Sequence, residues 1–186
     1  MMDRYSLEDP RFAAMIGEIE AKLGHFVTLS IGSSVELGDV LPFRYHRSPE
    51  IDAATLRHAA GDPKEGRFHV QIFVNDLPSM FARFKPAREG DAPWELAVLN
   101  HSELAAKIQA GLDHVCQDAP PEDGLLSIVE FPAYYLTVLE LQTDGEIRLV
   151  PVDAPDSLKI EALRSYGPEE VSGILEASTI EGRVRS

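Results

Sequence analysis

The chain has 186 residues, 44% of them hydrophobic and 26% charged, which fits one globular domain and excludes disordered, collagen-like and membrane-bundle compositions. Charge is the outlier, because 17 basic against 31 acidic side chains give −14. That sign argues against general nucleic-acid binding, which needs cations on phosphates, and against docking on an anionic membrane leaflet.

In chain order, Asp9 and Pro10 read as a helix start, and Phe12, Met15, Ile16, Ile19 and Leu23 recur at helical spacing up to Gly24. His25 to Ile31 alternates and predicts a strand; Gly32-Ser33-Ser34 turns the chain, and Val35 to Leu41 predicts a second strand. Ser48-Pro49-Glu50 is expected to open a helix that Gly61-Asp62-Pro63 closes. Arg67 to Asn75 alternates most cleanly and predicts a half-buried strand, with His69, Gln71, Phe73 and Asn75 on its polar face. Asp76 to Lys85 is expected to be a short helix, Pro86 to Pro93 a loop and Trp94 to Leu99 a strand.

The strongest helix runs from about His101 to Gln117, with Leu104, Ile108, Leu112, Val115 and Cys116 in one stripe. Leu125 to Phe131 reads as a buried strand. Tyr134 to Thr143 and Glu146 to Val152 flank Asp144-Gly145, a two-residue hairpin signal. Helices over Asp156 to Tyr166 and Pro168 to Ala177 are expected to close the chain. The pattern predicts one α+β domain over residues 1–186, a mainly antiparallel sheet with helices packed against it.

Motifs for chemistry are sparse. No two glycines are separated by a single residue, so G-x-G-x-x-G is excluded. Gly61 to Phe68 has P-loop glycine spacing without the Lys-Ser/Thr pair, and Gly32-Ser33-Ser34 lacks the second glycine of a nucleophile elbow. The six histidines form neither H-x-x-x-H nor H-E-x-x-H, so no metal site and no cofactor is expected. The single cysteine, Cys116, rules out an internal disulfide; with no basic leader and no long apolar run, the expected compartment is the cytoplasm.

Three side chains stand out as catalytic candidates. Glu130 shares a strand face with Leu126 and Ile128, and Glu140 shares one with Leu136 and Val138. Burial there would raise both carboxyl pKa values, as general acids need, and a histidine such as His69 would accompany them.

Divided by position, the charge is −4 over residues 1–42, +3 over 43–88 and −13 over 89–186. In the basic middle, Arg44, His46 and Arg47 precede the expected helix start and form a candidate anion site. Arg83, Lys85 and Arg88 form a second basic group with Phe81 and Phe84 interleaved, a set able to stack on a base, although two phenylalanines three apart in a short helix are more often core. The expected function is a non-enzymatic module binding a protein partner or a small anionic ligand; the alternative is a small hydrolase or lyase. A homo-oligomer joined at Tyr134 and Tyr135 is a third expectation.

Overall fold

A computed structural model describes residues 10–26, 33–48, 50–57, 66–88, 94–117, 124–143 and 145–184. These contain four α-helices and seven strands: α1 (Ala13–Phe26), β1 (Val35–Tyr45), α2 (Ala53–Arg57), β2 (Arg67–Val74), β3 (Leu77–Pro86), β4 (Trp94–His101), α3 (Glu103–Gln117), β5 (Leu125–Phe131), β6 (Leu136–Thr143), β7 (Glu146–Asp153) and α4 (Pro168–Val184). The class is α+β, with helices on mainly antiparallel strands. The chain divides into two compact units. An amino unit comprises Arg4–Phe43 and Pro63–Gln109; a carboxy unit comprises Met1–Asp3, Arg44–Asp62 and Ala110–Ser186.

In the amino unit the strands run β4-β3-β2-β1, each antiparallel to its neighbour. The helical periodicity read at the start of the chain becomes one face of α1 and the turn before it: Phe12, Met15, Ile19 and Leu23 pack on Val40, Phe68, Val70, Ile72, Met80, Ala82, Phe84 and Trp94. The Phe12 ring lies 5.3 Å from Phe68 and 5.4 Å from Trp94, centroid to centroid. Each of the valine, leucine, isoleucine, methionine and phenylalanine side chains among them, fully buried, contributes about 1.5–3 kcal/mol of transfer free energy.

The carboxy unit holds the antiparallel ladder β5-β6-β7. Its register sorts side chains by parity. Val129, Phe131, Leu136, Val138 and Leu149 turn to one face and pack with Leu56 of α2 and with Val171 and Leu175 of α4. Leu139 and Val152 turn to the other face, where Gly111 of α3 lies so close that an added Cβ would sit 2.4 Å from Val152 Cγ1. The hairpin between β6 and β7 stands where Asp144-Gly145 predicts it, with Thr143 opposite Glu146 and Gly145 at φ +84°. Asp144 itself lies outside the described residues.

Four expectations need correction. Asp76–Lys85 is not a helix but the body of β3, because Asn75 and Asp76 adopt φ 51° and 63° and make a two-residue hairpin turn. Phe81 and Phe84, three apart, imitate helical spacing, yet they point to opposite faces of a strand buried on both. β2 is likewise buried on both faces from Phe68 to Ile72, not half-buried. The helix expected from Ser48 starts only at Ala53, where the Asp52 carboxylate accepts the Thr55 N–H at 2.6 Å. Asp156–Tyr166 forms a single 3-10 turn over Asp156–Leu158, after which Lys159 and Leu163 take positive φ. Its backbone serves β7 instead: Leu163 N–H donates to Pro151 O at 2.8 Å, and Tyr166 exchanges two bonds with Leu149.

The strand expected over His25–Ile31 is overtaken by α1 as far as Phe26; residues 27–31 lie outside the described set, as do Asp9, Pro49 and the helix stop at Gly61-Asp62-Pro63. Among the described residues, no helix is long and apolar enough to cross a membrane.

Candidate functional site

The carboxy unit gathers three of the singled-out residues around one buried carboxylate. Glu140 stands mid-strand on β6, 1% exposed, on the face that carries Leu136 and Val138. Arg44, at the end of β1, meets it with a guanidinium–carboxylate hydrogen bond and ion pair. Ser127, directly opposite on β5, donates its hydroxyl to the second carboxylate oxygen at 3.4 Å. Burial pushes the Glu140 carboxyl above its ordinary pKa, and the Arg44 cation and both hydrogen bonds oppose that push. Burial equally lowers the Arg44 pKa against the opposing pull of Glu140.

His46 follows along the chain. Its backbone N–H donates to Glu130 O at 2.8 Å, and its ring stacks on Phe131 at 5.2 Å with planes 11° apart. Burial, and then the Arg44 charge, lower its pKa, so the imidazole is neutral at pH 7. Its Nε2 is buried and has no hydrogen-bond partner. Arg47 is exposed, with its guanidinium 5.8 Å from the Tyr45 ring centre. The expected anion site is therefore rearranged: Arg44 answers an internal carboxylate, His46 carries no charge, and the helix start that would add N–H donors lies at Ala53, not Ser48.

Glu130 and Glu140 do not form a pair. The register sets Ser127 opposite Glu140 and Glu130 opposite Thr137, and residues three apart on one strand face opposite ways. The carboxylates therefore sit on opposite faces. Each was correctly grouped with its own apolar neighbours, but the shared face was not readable before the strands were aligned.

His69 lies in the other unit. It is fully buried on β2 and donates Nε2–H to Gln71 Oε1 at 3.1 Å; Gln71 in turn donates to Ala105 O in α3 at 2.7 Å. Its ring stacks 5.0 Å from Phe81, and Arg83, its register partner on β3, lies over Phe43 at 4.1 Å and over Phe81 at 4.6 Å. Burial first and the Arg83 charge second push the His69 pKa down to about 3. The solvated sheet face expected for His69 and Gln71 is instead a sealed polar layer under α3.

The basic group expected at 83–88 disperses for the same reason. Arg83 turns inward with Phe81, Phe84 joins the opposite core, and Lys85 pairs across the strands with Glu95 at 2.8 Å. Tyr134 and Tyr135 also separate. Tyr134 is buried, with its hydroxyl 2.9 Å from Thr179 Oγ1, while Tyr135 is 82% exposed at φ 53°.

Sequence reasoning missed a cleft of about 820 Å³ in the carboxy unit. The hairpin supplies one wall through Gln142, Glu146, Ile147 and Arg148, and Ser165 to Pro168 supply the other. The Asp144-Gly145 signal located one wall; the second required knowing that Tyr166 bridges to Leu149. Among the described residues, no three metal-ligating side chains converge.

Compared with protein-family models, with curated proteins and with solved structures, the chain finds no match.

Proposed function

We propose that the chain is a non-enzymatic binding module whose ligand site is the cleft between the β6–β7 hairpin and the start of α4. The observation that carries this reading is the commitment of the reactive side chains to internal partners. Glu140 is engaged by Arg44 and Ser127, and His69 by Gln71, while the cleft is open and holds amide, hydroxyl and backbone groups beside the Glu146–Arg148 ion pair. Recognition at such a cleft requires only hydrogen bonding and shape; catalysis would require a base and an electrophile aimed at one point. A reduced, cytosolic setting is part of the proposal and accords with a single cysteine. Self-association is a further part, supported by the exposed Tyr135 ring.

The alternative, a hydrolase or lyase, draws on the raised pKa of Glu140 with a serine hydroxyl on it. One experiment separates the two. A thermal-shift screen of small ligands and peptides is run beside turnover assays on esters, amides, phosphoesters and glycosides. The binding reading expects a ligand that raises Tm without being consumed; saturation at one hundred times Kd corresponds to about 2.7 kcal/mol. Turnover that disappears in folded Glu140→Gln or His69→Gln would overturn it.

A further inference from the structure

The outer edge of β7 is covered along only part of its length. Leu149 gives both its N–H and its C=O to Tyr166, and Pro151 O accepts from Leu163, so residues 149 and 151 point their backbone groups away from β6. Strand parity then turns the N–H and C=O of Ile147 outward as well, since no bulge interrupts β7 between 147 and 149. The residue that would face Ile147 in continued antiparallel pairing is Pro168. It has no N–H, and it starts α4 instead. The covering segment therefore leaves the edge one step early, and the cleft lies where it leaves, with Ile147 in its wall. The described residues offer the outward N–H and C=O of Ile147 no partner.

We propose that this gap receives an extended, basic peptide segment of a partner protein, which adds to β7 as a strand at Ile147. The proposal rests on the binding-module reading above and names its ligand class. Strand addition follows from the open edge, because main-chain groups pointing outward at strand spacing are what an extended peptide satisfies. The charge of the segment follows from complementarity. The carboxy unit carries 19 acidic and 8 basic side chains. In the cleft wall Arg148 is already held by Glu146 at 3.1 Å, and Arg164, which precedes the Ser165–Pro168 wall in the chain, is held by Glu161 and the Tyr166 ring. Glu169 and Glu170 both bring a carboxylate oxygen to 3.8 Å from a Cβ position at Gly167, on the cleft wall. They offset the positive end of α4, which would otherwise favour an anion. The cleft has room for a few residues of chain, and Gln142 offers it an amide.

The test uses the full chain and a fluorescein-labelled hexapeptide of alternating lysine and valine, followed by anisotropy. Saturable binding that weakens from low to physiological salt is expected, with none for the glutamate–valine counterpart. N-methylation of alternate peptide amides, which removes the strand bonds, should weaken binding at least about tenfold. Ile147→Pro should do the same, since it deletes only an N–H that points away from β6. Should that variant not fold, Glu146→Lys reads the same site, with an expected loss of about fivefold. Equal affinity for the methylated and unmethylated peptides would show that the edge is not used. Equal binding of the acidic peptide, or no saturable binding of the basic one, would overturn the ligand class. Neither result touches the binding-module reading, which falls only to turnover sensitive to Glu140 or His69.

Discussion

The two units bury polar groups in opposite ways. The carboxy unit has a net charge of −11 and the amino unit, with 9 basic and 12 acidic side chains, −3. Yet it is the acidic unit that buries a carboxylate, and it does so only against a guanidinium, Arg44 to Glu140. The nearly balanced unit buries a neutral imidazole–amide pair, His69 and Gln71, beside a cation laid on aromatic rings. Burying a charge costs several kcal/mol unless a partner compensates, whereas a neutral polar group needs only its hydrogen bonds. Net charge describes what the surface of a unit attracts; it does not say what its interior can hold.

The contrast gives the units opposite responses to pH. His69 titrates near 6.5 when unfolded and near 3 when folded, so the unfolded chain binds the proton more readily. The stability tied to neutral His69 is complete above pH 6.5 and is lost as pH falls from 6.5 towards 3. Glu140 has the reverse sign. Its folded pKa is raised, so its contribution is present at low pH and fades as pH rises from the ordinary carboxylate range through the raised value.

The largest effect expected is the acid destabilisation of the amino unit, up to about 5 kcal/mol across the His69 window at 1.36 kcal/mol per pKa unit. Trp94, the chain's one tryptophan, reports on that unit, so urea titrations followed by its fluorescence at several pH values measure the effect. His69→Gln should flatten the window, and an unchanged slope in that variant would remove His69 as its source.

Next in size is Arg44→Met, which strands Glu140 in the core and should cost about 3 kcal/mol at neutral pH, with the deficit shrinking at pH 5. The double variant Arg44→Met/Glu140→Leu should recover most of the loss. A double variant no more stable than the single one would mean that the pair is not what Arg44 supports. Hydrogen exchange of the β5–β7 amides localises the change to the carboxy unit.

Gly111→Ala is expected to destabilise by about 2 kcal/mol, read as a lower urea midpoint, because the new methyl meets Val152 and Leu139 at 2.4 and 2.9 Å. The smallest effect is a gain. Tyr135→Gly relieves a left-handed aromatic residue at φ 53° and should stabilise by about 0.5 kcal/mol once the added chain entropy is counted. A loss of stability there would mean that the exposed ring packs on something in solution.

Much of the fold was legible wherever one periodicity governed a segment. The α1 stripe, β5 and the Asp144-Gly145 hairpin all emerge near their expected positions, because burial on one side imprints a period on the chain. β3 was misread because both of its faces are filled, so the alternation that marks a half-buried strand is missing. The segment before α4 was misread because its backbone bonds go to β7, and no local propensity records a partner elsewhere in the chain.

The candidate site was legible only in its members. Arg44, His46, Glu140 and His69 were each singled out by type and position, but Arg44 and Glu140 are 96 residues apart and nothing local connects them. Glu130 was named for the same reason as Glu140 and lies on the other face, since the alignment of β5 with β6 decides which residues share a side.

The sequence by itself determined the α+β class, the placement of most helices and strands, and the gathering of negative charge towards the carboxyl end. These are local or additive properties of the chain. Tertiary structure alone decided which charges are sealed and neutralised, which histidine loses its proton, and where β7 is left with an open edge. Those outcomes depend on register and on close approach between distant residues, and short-range periodicity carries no information about either.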